Sequence, residues 1–85
     1  MTKYFMNLRD GTDELIDPEG ADYESLDALR KSVLATARDL MGHDIAQGLI
    51  DFRFRIDAED TDGVIVYTLH FKHAVNIIPE GVGYA

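Results

Sequence analysis

Between Asp51 and His73 apolar and polar residues alternate with a period of two in two runs, and an Asp62-Gly63 pair separates the runs. Phe52, Phe54, Ile56 and Ala58 alternate with Asp51, Arg53, Arg55 and Asp57 before it; Tyr67, Leu69 and Phe71 alternate with Val66, Thr68, His70 and Lys72 after it. Successive side chains of a strand point to opposite faces, so this is the pattern of two half-buried strands. A two-residue type I′ turn centred on Asp62-Gly63, with φ > 0 at both positions, would set Ala58 opposite Tyr67, Ile56 opposite Leu69 and Phe54 opposite Phe71. All three pairs are apolar and share one face. Turn chemistry and hydrophobic pattern therefore choose the same register, and a slip by one residue would turn Phe52, Phe54 and Ile56 into water.

The rest of the chain supplies a cover for that face. From Lys3 to Arg9, Tyr4, Met6 and Leu8 point one way and Lys3, Phe5, Asn7 and Arg9 the other, with Phe5 the exception to a clean pattern. Asp10-Gly11 repeats the hairpin signal, and a two-residue turn there sets Leu15 opposite Met6, with Ile16 flanking Phe5 on the other face. The second strand, Thr12 to Asp17, ends at Pro18, which cannot donate to a ladder, and this places it at a sheet edge. A turn-rich stretch from Pro18 to Asp22 leads to a helix capped by Ser25, with Asp27 in its first turn. Leu26, Leu29, Val33, Ala37 and Leu40 recur at helical spacing, Leu34 and Met41 widen the stripe, and Gly42 is the expected C′ residue. The span from His43 to Ile50 reads as a connecting loop. The pattern predicts one α+β domain over residues 1–75, a two-layer ββαββ fold with one helix packed on an antiparallel four-stranded sheet. Residues 76–85 read as a C-terminal tail, apolar to Ile78 and glycine-rich from Glu80 to Ala85. Strand order does not follow from the pattern.

With 85 residues and no cysteine the chain has room for one modest core and no disulfide framework, so the core must suffice alone or be extended by oligomerisation. No segment has the apolar run of a signal peptide or a membrane span, so the expectation is a cytoplasmic protein without membrane association. Sixteen acidic against eight basic residues give a formal net charge of −8, which opposes non-specific attraction to nucleic acid.

Several short stretches resemble a known family. They are Tyr4-Phe5-Met6-Asn7-Leu8-Arg9-Asp10-Gly11, Asp17-Pro18-Glu19-Gly20, Ser25-Leu26-Asp27-Ala28, Ala37-Arg38-Asp39-Leu40, the Asp60-Thr61-Asp62-Gly63 turn and Thr68-Leu69-His70-Phe71. In that order they resemble a family of short bacterial proteins, mainly alphaproteobacterial, that is catalogued as a domain of unknown function. The resemblance implies a small stand-alone bacterial domain and carries no catalytic residue with it.

The functional expectation rests on the sheet face away from the helix. It would hold Lys3, Arg9, Arg53, Arg55 and Lys72, five of the eight basic residues, together with His70, Phe5 and Ile16. The candidate binding residues are accordingly Phe5, Arg9, Ile16, Arg53, Arg55, His70 and Lys72. Such a face could serve self-association, with Phe5, Ile16 and Val66 as an apolar centre, or receive a phosphate backbone with Phe5 as a stacking platform. Its plain alternative is a solvated face whose arginines pair with Asp57, Asp51 and Glu59. The leading expectation is a small interaction or regulatory domain, a homo-oligomer or the partner of another protein, that uses this face or the apolar segment Val75 to Ile78. Nucleic-acid binding is the alternative, and an enzyme or ligand-binding domain the second.

Catalytic and cofactor signals are weak. Ser25 is explained by capping, there is no cysteine and no glycine-rich phosphate loop, and no cofactor is expected. An EF-hand loop starting at Ala58 would need glutamate where Leu69 stands. His70 and His73, three apart on an extended segment, would face opposite ways, and His43 lies beyond the expected helix end, so no metal is expected either.

Overall fold

The computed structural model describes residues 1–81, so Val82 to Ala85 of the expected tail lie outside the described residues. One helix lies on one face of an antiparallel sheet, the expected two-layer α+β arrangement. Strand β1 (Thr2–Arg9) is followed by β2 (Glu14–Leu15), β3 (Ala21–Tyr23), helix α1 (Leu26–Ala46), β4 (Arg55–Glu59), β5 (Ile65–His70) and a 3-10 turn (Phe71–His73). The order across the sheet is β2-β1-β4-β5, and β3 also pairs with β1.

The second hairpin keeps the predicted register but not the predicted turn. Ala58 faces Tyr67 and Ile56 faces Leu69. Phe54 precedes the strand, yet the Phe71 N–H donates to its carbonyl at 3.0 Å and the two rings meet at 5.8 Å. At the turn, Gly63 has a positive φ and Asp62 does not, so a type I′ turn is ruled out. The Gly63 N–H donates to the Asp60 carbonyl and the Asp60 N–H to the Val64 carbonyl, a three-residue loop that ends on a glycine. A bulge between Ala58 and Glu59 absorbs the extra residue, which is how a different turn delivers the same pairs.

The first hairpin departs further. Leu15 stands opposite Leu8, not Met6, because the loop takes in Asp10 to Asp13. The Asp10 carboxylate accepts from the Thr12 and Asp13 N–H groups and from the Thr12 hydroxyl, closing a longer loop than the Asp-Gly pair suggests. A shift of two leaves Leu15 on its expected face. β2 shrinks to two residues and β3 takes up the edge of β1 again, with Tyr4 opposite Ala21 and Thr2 opposite Tyr23.

Between these short ladders Asp17 stands in for a strand. Its carboxylate accepts from Met6 N–H on β1 and from Glu19 and Gly20 N–H on its own turn, while its own N–H donates to the Asn7 side chain. The register then brings Gly20 opposite Phe5. A Cβ on Gly20 would lie 2.9 Å from Phe5 Cε1 and 2.9 Å from the Tyr4 carbonyl, at a φ of +68. Phe5 is therefore no free platform, since its ring packs over a backbone that has room for it at glycine only.

Helix α1 begins where its cap dictates, with the Ser25 hydroxyl accepting from Ala28 N–H at 3.1 Å. Leu29, Val33, Ala37 and Met41 form its buried stripe. They meet Ile56, Ala58, Leu69, Phe71 and Ala74, with Tyr4, Met6 and Leu8 of β1 half-buried against them. The helix does not stop at Gly42 but runs to Ala46, so His43 sits in its last turn. The end comes where Gly48 N–H donates to the Ile45 carbonyl and Leu49 N–H to the Asp44 carbonyl, the paired bonds of a Schellman motif.

Two glycines thus predict opposite outcomes under urea denaturation. Gly42→Ala, mid-helix with nothing within 4 Å of a new Cβ, should stabilise the protein by roughly 0.5 to 1 kcal/mol. Gly20→Ala should destabilise it by about 1 to 3 kcal/mol. A neutral Gly20→Ala would remove the packing account of Phe5.

Candidate interaction surface

The outer sheet face is built as rows across three strands. The pairings set Asn7, Asp57 and Thr68 in one row and Arg9, Arg55 and His70 in the next. Asp57 is the centre, and although it lies on the face away from the helix it is 2% exposed. Its neighbours close over it. One carboxylate oxygen accepts from Arg9 Nη1 at 2.8 Å and from Arg55 Nε at 3.1 Å, the other from the Thr68 hydroxyl at 2.7 Å. Arg9 reaches further, to Glu59 at 2.8 Å through Nη1 and to Glu14 at 2.9 Å through Nε. Asn7 donates to Glu59 and accepts from Asp17 N–H, joining this cluster to the turn that bridges β2 and β3.

The titration of these groups follows from their partners. Burial pushes the Asp57 carboxyl up, but donors from Arg9, Thr68 and Arg55 outweigh it and hold the group below the usual carboxylate range. Asp17 is balanced in the same way, burial opposed by the N–H groups of Gly20, Met6 and Glu19, with a net lowering. The Arg9 guanidinium is raised by its hydrogen bonds to Asp57, Glu14 and Glu59. Asp51 is lowered to about 2 by the Arg53 side chain, which it also binds through its own carboxylate at 2.8 Å.

The seven residues expected to share the binding face are distributed as follows. Phe5, Arg9, Arg55 and His70 do lie on the outer face. Arg53 precedes β4 and folds onto Asp51, and Lys72 lies in the 3-10 turn beyond β5. Ile16 lies elsewhere, in an apolar groove of about 360 Å³ between the β2 edge and the helix, with Met6, Leu8, Leu15, Thr36 and Leu40. Val66, the third member of the expected apolar trio, packs against the core. The outer arginines are thus largely paired with carboxylates, and the trio does not assemble. The 3-10 turn also changes the histidines, since it brings the His70 and His73 rings edge to face at 6.0 Å where an extended strand would have parted them. Among the described residues no three His, Asp or Glu side chains converge on a possible metal position.

Two other surfaces stay open. A polar depression of about 380 Å³ is lined by Arg9, Gly11, Thr12, Asp13, Glu14 and Arg55, and Arg9 and Glu14 within it bind each other. Large aliphatic side chains are exposed at the groove (Leu15, Ile16, Leu40), at the start of β5 (Val64, Ile65) and after the core ends (Ile77, Ile78). No described helix is long and apolar enough to cross a membrane.

Because Asp57 and Asp17 have lowered carboxyl pKa values in the fold, the unfolded chain takes up their protons first as pH falls. Their stabilisation is complete above the ordinary Asp value of about 3.9 and is lost as pH drops through the lowered values. Folding stability by urea titration should therefore be flat near neutrality and decline below about pH 4. Asp57→Asn should cost about 2 to 4 kcal/mol at pH 7 and make the acid decline shallower, whereas an unchanged acid profile would show that the cluster carries no folding energy.

Residues 3–72 match the model of the family described as Domain of unknown function (DUF6894). No curated protein and no solved structure matches the chain.

Proposed function

The chain belongs to this family of unknown function, which assigns it no activity, and from its own geometry we propose that it is a self-associating interaction module without chemistry of its own. What supports this reading is the division of its surface. On the outer face Arg9, Arg55, Asp57 and Glu59 are bonded to one another, while aliphatic side chains stand in water: Leu15 is 70% exposed, Val64 56% and Ile77 63%. Exposed aliphatic surface on a small domain is resolved most simply by a second protein surface, and a chain of one modest core gains stability from it. A second copy is the partner always available to such a chain, through an isologous contact.

The outer face lends little to the alternatives. Nucleic-acid binding would draw on Arg53, Arg55, Lys72 and Phe5; Arg53 is held by Asp51, Arg55 by Asp57, and the Phe5 ring packs over Gly20, in a molecule of net charge −8. An enzyme would need a nucleophile and a base to converge, and the polar depression presents arginine–carboxylate pairs in their place.

Sedimentation velocity tests the reading. A species of twice 9.5 kDa is expected at concentrations of about 10 to 100 µM. A single 9.5 kDa species across that range would contradict it.

A further inference from the structure

We propose that a second copy of the chain docks antiparallel on the open edge of β5, joining two sheets into one. The proposal rests on the self-association reading and gives it a surface.

The two edges of the sheet are not alike. On the β1 side the edge is divided between β2 and β3, two and three residues long, with the Asp17 carboxylate filling the gap between them. On the other side β5 runs six residues, with β4 along one flank and no strand along the other among the described residues. Phe71 N–H donates to the Phe54 carbonyl. The alternation of an antiparallel ladder then turns the N–H and carbonyl groups of Thr68 and His70 away from β4, toward the open side. The bulge lies nearer the turn and leaves Tyr67 to His70 in regular register. Ile65, 51% exposed, opens the strand with a β-branched side chain where a blunted edge would carry charge or proline, and Val64, 56% exposed, stands just before it with its backbone bonded to Asp60.

Charge chooses the occupant. Asp60 and Asp62 lie at the turn end of this edge, and Lys72, beside His70 and His73, lies at the other. In one copy these ends are separated by the length of β5, roughly 20 Å, too far to satisfy each other. Antiparallel pairing of two copies brings the acidic turn of each against the Lys72 end of the other, twice, about one two-fold axis. With the axis at Tyr67, Thr68 falls opposite Val66 of the second copy, and the 3-10 turn that carries Lys72 lies toward the turn of the second copy that carries Asp60 and Asp62. The molecules repel at a distance through their net charge, and this edge is where opposite signs meet.

Lys72→Glu and Asp62→Lys test the pairing. Both side chains are exposed, and circular dichroism should show both variants folded. Each alone places like charges at both ends of the interface and should weaken dimerisation about tenfold or more in sedimentation. Mixed in equal amounts they should restore it, since in the mixed dimer both contacts again join opposite charges. A wild-type dimer that survives both single variants unchanged, or a mixture that fails to recover, overturns the β5 edge and leaves self-association standing. A wild-type chain that never dimerises removes both.

Discussion

Arg9 Nη1 stands 2.8 Å from Asp57 and 2.8 Å from Glu59, and the arrangement of the sheet turns on that guanidinium. Arg9 is the last residue of β1, while Asp57 and Glu59 lie on β4, so the contact clamps two strands that share a ladder of five residue pairs. Asp57 passes the connection on to β5 through Thr68, and Glu59 passes it back to the β2–β3 turn through Asn7 and the Asp17 backbone. The helix covers the other face with Leu29, Val33, Ala37 and Met41. A sheet of this size has one dry face and one wet one. Here the wet face is made rigid by charges that are individually costly to bury and tolerable together, because each carboxylate oxygen on Asp57 finds a donor.

That use of charge has a consequence for function. A face whose arginines are committed to carboxylates presents dipoles and paired ions, not a cationic field, and on the proposed self-association reading it leaves recognition to the parts of the surface the cluster does not reach. Those parts are the aliphatic groove beside β2 and the free edge of β5. The bridge at Asp17 makes the difference between the two sheet edges: it satisfies the Met6 N–H that a longer β2 would have taken, and so closes one side of the sheet, while β5 has no strand along its outer flank among the described residues.

Much of the fold was legible because local chemistry and hydrophobic period agreed. The pairs Ala58–Tyr67 and Ile56–Leu69, the cap at Ser25 and the stripe through Leu29, Val33 and Ala37 each rest on contacts within one hairpin or one helix. The departures have a common origin in side chains acting on backbone. The Asp10 carboxylate lengthened the first loop, Asp17 broke one edge strand into two, and the Asp44 and Ile45 carbonyls waited for Gly48, which carried the helix past Gly42. The site was less legible than the fold. Arg9 and Asp57 are 48 residues apart, and their meeting depends on β1 lying beside β4, a strand order that periodicity does not contain. Ile16 was read onto the outer face from a regular strand; with β2 ending at Leu15 it turned into the groove by the helix.

The account stands on the claim that the outer-face charges hold the sheet together and do not wait for a ligand. A double-mutant cycle between Arg9 and Asp57, with Arg9→Met and Asp57→Leu measured by urea denaturation, tests that claim most directly. Each single change strands the other charge on the face and should cost about 2 to 4 kcal/mol, and the double variant should cost much less than their sum, a coupling of about 2 kcal/mol or more. Single variants that are neutral or stabilising, with strictly additive effects, would contradict it, for that is the behaviour of charges placed for a partner and not for the fold.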